Sequence, residues 1–298
     1  MNKTVKYLTY KSLNKIYQLK YGALKSNKSN RRIMFFPEIP REFYCVSRIC
    51  RLLKIEMIGY SSSINPPLVI AFEDSTESNL DVNEYIKRTH RVDFTADILN
   101  VDCTNISKSY VGEIFKTVFN YSLNVDPTEF TGEVVKKSDI NGLHDGQIIS
   151  CPVEESKVDK EASYTVLVDN TITEDDNTVE DLRVSIMGGQ IPLVYQKRRN
   201  ISNRFANVNE SIIIGNKDRL FSKEEQSNIL EFSDRMGLNL GELDILRDKK
   251  TKRIYIVDVN KTMTGPPPQL TRKDFLRALL ILANGFEKNI VTKQNLET

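Results

Sequence analysis

A chain of 298 residues, 40% hydrophobic and 28% charged, can bury a sizeable core and has the balance of a folded soluble protein, which excludes a disordered chain. No apolar run approaches the length needed to span a bilayer, and no secretory segment stands near the start. Two histidines and four cysteines (Cys45, Cys50, Cys103, Cys151) without C-x-x-C pairing argue against a zinc site, leaving free thiols and a cytoplasmic setting as the expectation.

The net charge of +2 is unevenly spread. Met1 to Pro37 contains no Asp or Glu but many basic residues, from Lys3 to Arg32. Val5, Leu8, Leu13, Ile16 and Leu19 recur there at roughly helical spacing. Residues 1–32 are expected to form a basic amphipathic arm able to lie on the anionic inner face of a membrane. The charge continues into no nucleic-acid-binding module, so no nucleic-acid partner is expected.

Residues 33–105 alternate strand and helix: IMFFPEIP, a helix over 41–55 with Phe43, Val46, Ile49, Leu52 and Leu53 on one stripe, a strand near 56–58, a buried strand in PLVIAFED, a short helix in DVNEYIKRTH and a strand in ADILNVDC. This is a small α/β domain without a G-x-G-x-x-G dinucleotide loop. SKSYVGEIFKTVFNYSL then reads as an amphipathic helix. GEVVKKSDINGLHDGQIISCP reads as strand, loop, strand. Gly142 and Gly146 let backbone N–H groups of that loop approach phosphate, and a lysine at its mouth supplies charge.

YTVLVDNTI alternates as a strand, and the acidic TEDDNTVED, with Glu174, Asp175, Asp176, Glu180 and Asp181, is expected to be a solvated loop. LRVSIMGGQIPLVYQKRR is a strand pair turning at Gly188-Gly189. FSKEEQSNILEFSDRMG is a helix opened by a Ser222/Glu225 capping box and stopped by Gly237. Residues 239–268 form a hairpin, GELDIL and RIYIVDVN flanking RDKKTK. Period-two alternation puts Asp258 and Asn260 on one side with Ile256 before them, and the neighbouring strand can bring Asp244 alongside. Two carboxylates and an amide oxygen make the hard donor set that suits Mg²⁺ holding nucleotide phosphates. A last helix follows, with Phe275, Leu279, Leu282 and Phe286 in its core.

The acidic residue on one strand, the D-x-N on the next and the Pro/Gly turn after it resemble the ATP-grasp superfamily, in a compact bacterial-type member, with Asp244, Asp258 and Asn260 on the metal-binding positions. The resemblance covers roughly residues 107–268. It implies an α+β ATP-grasp fold, two α+β lobes clasping ATP, after a small α/β N-terminal domain: arm 1–32, N-terminal domain 33–105, small lobe 106–163, large lobe 164–298. It also implies ATP and two Mg²⁺ as cofactors. Lys108 fits the lysine ahead of the first helix. Lys136 and Lys137 compete for the lysine entering the phosphate loop, Lys137 beside Ser138 being favoured. Leu167, Val168 and Asp169 occupy the adenine-reading hinge.

Arg183 fits the large-lobe arginine, and Arg198 or Arg199, with Lys197 a third candidate, the basic group at the γ-phosphate or acyl group. The loop SDINGLHDG departs from the family in being shorter and poorer in glycine, and it holds His144, a possible phosphate contact or proton carrier. The implied activity is a ligase that activates a carboxylate as an acyl phosphate, releases ADP and joins the acid to an amine. Its partners would be a small-molecule or glycan-linked carboxylate and an amine, as in cell-surface polysaccharide biosynthesis. The alternatives are a phosphotransferase on the same fold and a non-catalytic nucleotide-binding protein.

Overall fold

The computed structural model describes residues 31–60, 68–78, 97–206 and 208–293. Residues 1–30 of the expected basic arm, and the helix expected in DVNEYIKRTH, lie outside the described residues. Arg31 and Arg32, counted with that arm, belong to the body. Arg32 opens strand β1 (Arg32–Pro37). The Arg31 guanidinium is buried, its Nη1 donating to both Glu287 carboxylate oxygens at 2.8 Å and its Nη2 to the Leu53 carbonyl at 2.7 Å.

After helix α1 (Cys45–Leu53) come β2 (Glu56–Gly59), β3 (Leu68–Phe72) and β4 (Asp97–Leu99), which join β1 in a parallel sheet of order β2-β1-β3-β4. After Arg32, β1 is apolar, as is all of β3, because both faces are covered. Ile33, Phe35, Leu68 and Ile70 meet Val46 and Ile49 of α1, while Met34, Phe36, Ile58 and Val69 form a second cluster behind. Phe43, expected on the helix stripe, precedes the helix and is exposed.

Helix α2 (Lys108–Phe119), N-capped by Ser107, leads to β5 (Gly132–Ser138), β6 (Gln147–Cys151) and β7 (Ala162–Val166), a small antiparallel sheet of order β6-β5-β7. The large sheet holds β8 (Thr171–Ile172), β9 (Asp175–Met187), β10 (Val194–Asn200), β11 (Ser211–Gly215), β12 (Leu240–Arg247) and β13 (Ile254–Asn260), in the order β11-β10-β9-β12-β13 with β8 on β9. Helices α3 (Lys217–Leu220) and α4 (Lys223–Arg235) precede β12, and α5 (Arg272–Phe286) follows β13. The capping box forms as expected, Ser222 Oγ accepting from Glu225 N and Glu225 accepting from Ser222 N.

Two divisions differ from the sequence expectation. The boundary at 163/164 falls inside β7, so the small sheet ends at Val166. Helix α2, counted with the small lobe, buries Val111 and Phe115 with Leu243, Ile256, Ile229 and Phe232, against one face of the large sheet and α4. Near the opposite face, Tyr195, Met187 and Leu240 share a core with α1 and α5. Most of the acidic stretch is also no loop: pairing with β10 carries β9 back to Thr178 and pairing with β8 to Asp175, so Glu180 and Asp181 lie on a strand and only Glu174 stays in a turn. Gly188 and Gly189, with φ of +56° and +72°, make a two-residue turn closed by reciprocal Met187–Gln190 backbone bonds. A Cβ on Gly188 would also come 2.5 Å from the Asn289 carbonyl oxygen. Gly188→Ala should therefore lower the unfolding free energy by about 2 kcal/mol in urea titration. Among the described residues, no helix is long and apolar enough to cross a membrane.

Candidate functional site

The face of the large sheet that turns away from α2 and α4 carries ordered rows of charge. Tyr195 on β10, Arg183 on β9, Asp244 on β12 and Asp258 on β13 are successive register partners. Ser185, Glu242 and Asn260 form the adjacent row, and Lys197 pairs with Asp181 on the other side. The intervening residues Leu182, Val184, Leu243 and Val259 point into the opposite core, as strand alternation requires.

One irregularity decides which residues of β13 join this face. Asp244 pairs with Asp258, but the next pair is Ile245 with Ile256, so Val257 is an extra residue in a β-bulge. Ile256, expected beside Asp258 and Asn260, is turned instead into the apolar core with Val259. Val257 lines the cleft, and its carbonyl accepts from Lys137 Nζ at 3.3 Å.

That cleft, about 810 Å³ and open to solvent, lies between this face and the β5–β6 loop. Its walls carry Lys108, Lys137, Arg183, Lys197, Arg199 and Arg204 against Asp145, Asp181, Asp244 and Asp258, an excess of positive charge suited to a polyanion. Arg183 grips Asp244 bidentately, Nε to Oδ1 at 2.9 Å and Nη2 to Oδ2 at 2.8 Å, with Nη1 3.6 Å from Glu242 Oε2. Lys197 Nζ adds a bond to Asp244 Oδ1 at 3.2 Å. Burial alone would raise the Asp244 carboxyl, but Arg183 and Lys197 hold it well below the usual carboxylate range. Burial pushes Glu242 up to about 7 against the pull of Arg183.

Lys108 Nζ pairs with Asp258 and donates to Asn141 Oδ1 at 2.7 Å, which ties the loop to the start of α2. Asp139 accepts from Ser109 N at 2.7 Å in the same place. Burial, helped by the neighbouring Lys108 charge, lowers Lys137 to about 8. Ser138 and His144 also line the cleft, His144 exposed in the β5–β6 loop at φ +54°.

Adjacent residues of one strand part company. Lys136 faces away from the cleft and pairs with Asp159 at 2.9 Å. Arg198 likewise faces away, bound to Glu180 at 2.7 Å, while Arg199 is buried at the cleft and ion-paired with Asp181. Leu167, Val168 and Asp169 follow β7, and the structure does not bring them into the cleft lining. The Val168 carbonyl accepts from Arg204 Nη2 at 2.9 Å, and the Asp169 N–H and C=O are taken by Asp248 and Lys249. Asn260 Oδ1 accepts from Thr262 N at 2.9 Å, which fixes the amide at the end of β13.

Sequence reasoning missed Asp181, Glu242 and Arg204. Asp181 shares strand parity with Arg183 once β9 is given its full length, and Glu242 shares it with Asp244 on β12. Arg204 comes from an irregular connection and carries no such signal.

The donor chemistry fits magnesium. Asp244, Asp258 and Asn260 are register neighbours on one polar face. Among the described residues no group of three or more His, Cys, Asp or Glu is placed to hold a metal ion; two carboxylates with an amide oxygen are the kind of hard donors that Mg²⁺ takes beside phosphate oxygens.

No family model matches the sequence, and no curated protein matches it. Solved structures do. D-alanine–D-alanine ligase from Bacillus anthracis, complexed with ATP, superimposes with a TM-score of 0.51 at 12% identity, covering 90% of this chain and 99% of that one. The ATP-grasp ligase PsnB, complexed with a phosphomimetic variant of its minimal precursor, Mg and ADP, gives a TM-score of 0.50 at 11% identity over 86% of this chain and 99% of that one. The protein has the ATP-grasp fold.

Proposed function

We propose that the protein is an ATP- and Mg²⁺-dependent ligase that activates a carboxylate and joins it to an amine. The observation that carries this reading is the pairing of Asp244 with Asp258 in the lining of a cleft ringed with basic side chains, with Asn260 in the next row of the same sheet face. Asp244, Asp258 and Asn260 would hold the metal, which when bound neutralises and orients the phosphate oxygens. Lys108 and Lys137 sit where phosphate charge would lie, under the β5–β6 loop. Arg183, Lys197 and Arg199 lie on the large-sheet side, where a planar guanidinium can meet transferred phosphoryl oxygens in pairs.

The substrate carboxylate attacks the γ-phosphorus, the bond to the β,γ-bridging oxygen breaks, and ADP leaves. An amine then attacks the acyl carbon and displaces inorganic phosphate, losing a proton. Charge stabilisation and positioning suffice for both steps, so no protein nucleophile is required. PsnB, complexed with a precursor, makes a peptide carboxylate one class of acid to try, beside small-molecule acids.

Positional isotope exchange tests the first step. ATP labelled at the β,γ-bridge is incubated with protein, Mg²⁺ and a panel of acids, without amine. Scrambling that depends on an acid is expected; Mg²⁺-dependent ATP binding with no acid-dependent scrambling or phosphate release would remove the ligase reading. Lys137 adds a pH signature. A lysine lowered to about 8 loses its charge as pH rises through that value, so ATP affinity by calorimetry should fall roughly tenfold between about pH 7 and 9. Lys137→Arg should flatten the profile.

A further inference from the structure

Arg183 stands between two carboxylates and uses them unequally. Its Nε and Nη2 are committed to Asp244, whereas Nη1 lies 3.6 Å from Glu242 Oε2, beyond hydrogen-bond range. Glu242 Oε2 is buried and has no hydrogen-bond partner, in a residue only 1% exposed. Unpartnered carboxylate oxygens at that depth are costly and rare. The cost is concentrated here, since the Ser185 and Tyr195 hydroxyls, on the same sheet face, are also buried without partners.

Asp244 already holds Arg183 and Lys197 through three hydrogen bonds, which leave about one of its four lone-pair sites. A cation ligated there would stand against the guanidinium charge, so Arg183 must loosen its fork for Asp244 to meet it. A shift of about 0.7 Å would bring Nη1 within charge-assisted bonding range of Glu242. We propose that Glu242 is a positioning residue that receives the Arg183 guanidinium when Asp244 is claimed by a metal-bound nucleotide, keeping Arg183 charged, paired and aimed into the cleft. The two carboxylates then form an exchange: Asp244 holds the arginine in the empty protein, and Glu242 holds it in the loaded one. This rests on Asp244 being a metal ligand, as proposed above.

The exchange is read by magnesium coupling, the ratio of ADP dissociation constants without and with Mg²⁺, measured by calorimetry on the full chain. Glu242→Gln keeps the shape but removes the receiving charge, so Arg183 stays on Asp244 and competes with the ion. The coupling ratio should drop about tenfold, with affinity for metal-free ADP little changed. In an Arg183→Met background the same substitution should have no further effect on the ratio. A merely structural glutamate would change stability and leave the ratio alone, and that outcome overturns the proposal. Should Glu242→Gln fail to fold, Arg183→Lys serves instead. Its single ammonium holds Asp244 less firmly, so the ratio should be preserved or rise, and a tenfold fall would overturn the exchange. Wild-type protein showing no magnesium coupling at all would instead defeat the functional reading itself.

Discussion

Asp258→Asn is expected to lower ATP turnover by about a thousandfold or more while the protein stays folded. The asparagine keeps the size and one acceptor oxygen but loses the charge that would bind Mg²⁺ beside Asp244, its register partner. The same change deprives Lys108 of its ion pair, leaving Asn141 Oδ1 as its polar contact at 2.7 Å. Because the Asp258 side chain is 29% exposed, that loss should amount to only about 1–2 kcal/mol of stability. ADP release, followed with urea unfolding of the same sample, separates the two effects. Turnover within tenfold of wild type in a folded variant would show that the metal lies elsewhere. Lys136→Met is the matched control: its side chain faces Asp159 on the far side of β5, so turnover should stay within about twofold.

The contrast between Lys136 and Lys137 marks where sequence reasoning reaches. Alternation on a strand states that only one of two adjacent lysines can face a ligand, and the hairpin at Gly188-Gly189 follows from two residues that tolerate positive φ. The D-x-N on β13 was legible for the same reason. Alternation fails where a strand is irregular, and the bulge at Val257 is set by how β13 must pair with β12, which no local pattern records. The acidic stretch failed differently. Its composition favours a loop, but Asp181 and Glu180 are neutralised across the sheet by Arg199 and Arg198, so tertiary pairing outweighs local preference. Arg204 reaches the Val168 carbonyl from a connection 36 residues away in sequence, a contact that only the folded chain creates.

The largest stability effect is expected from Arg183→Met, about 3–5 kcal/mol near neutral pH, because it strands two buried acids with only Lys197 for compensation. Glu242→Gln should act in the opposite direction, and pH sets its size. Burial raises the Glu242 carboxyl from 4.5 to about 7. An acid whose pKa is raised on folding binds its proton more tightly in the folded chain, so its stabilising contribution is complete below about 4.5 and is lost as pH rises to about 7. That range corresponds to roughly 3 kcal/mol at most. Asp244 has the reverse sign: held low by Arg183 and Lys197, it contributes above the ordinary carboxylate value and loses its effect only as pH falls below it. Glu242→Gln, neutral at every pH, should match wild type near pH 4.5 and exceed it by up to about 3 kcal/mol at pH 8 in urea unfolding. Equal stability of the two proteins at pH 8 would mean that the buried carboxyl carries no such strain. If the gain is found alongside weaker magnesium coupling, the glutamate is a residue that the fold would be more stable without, retained for what it does to Arg183 when the cleft is filled.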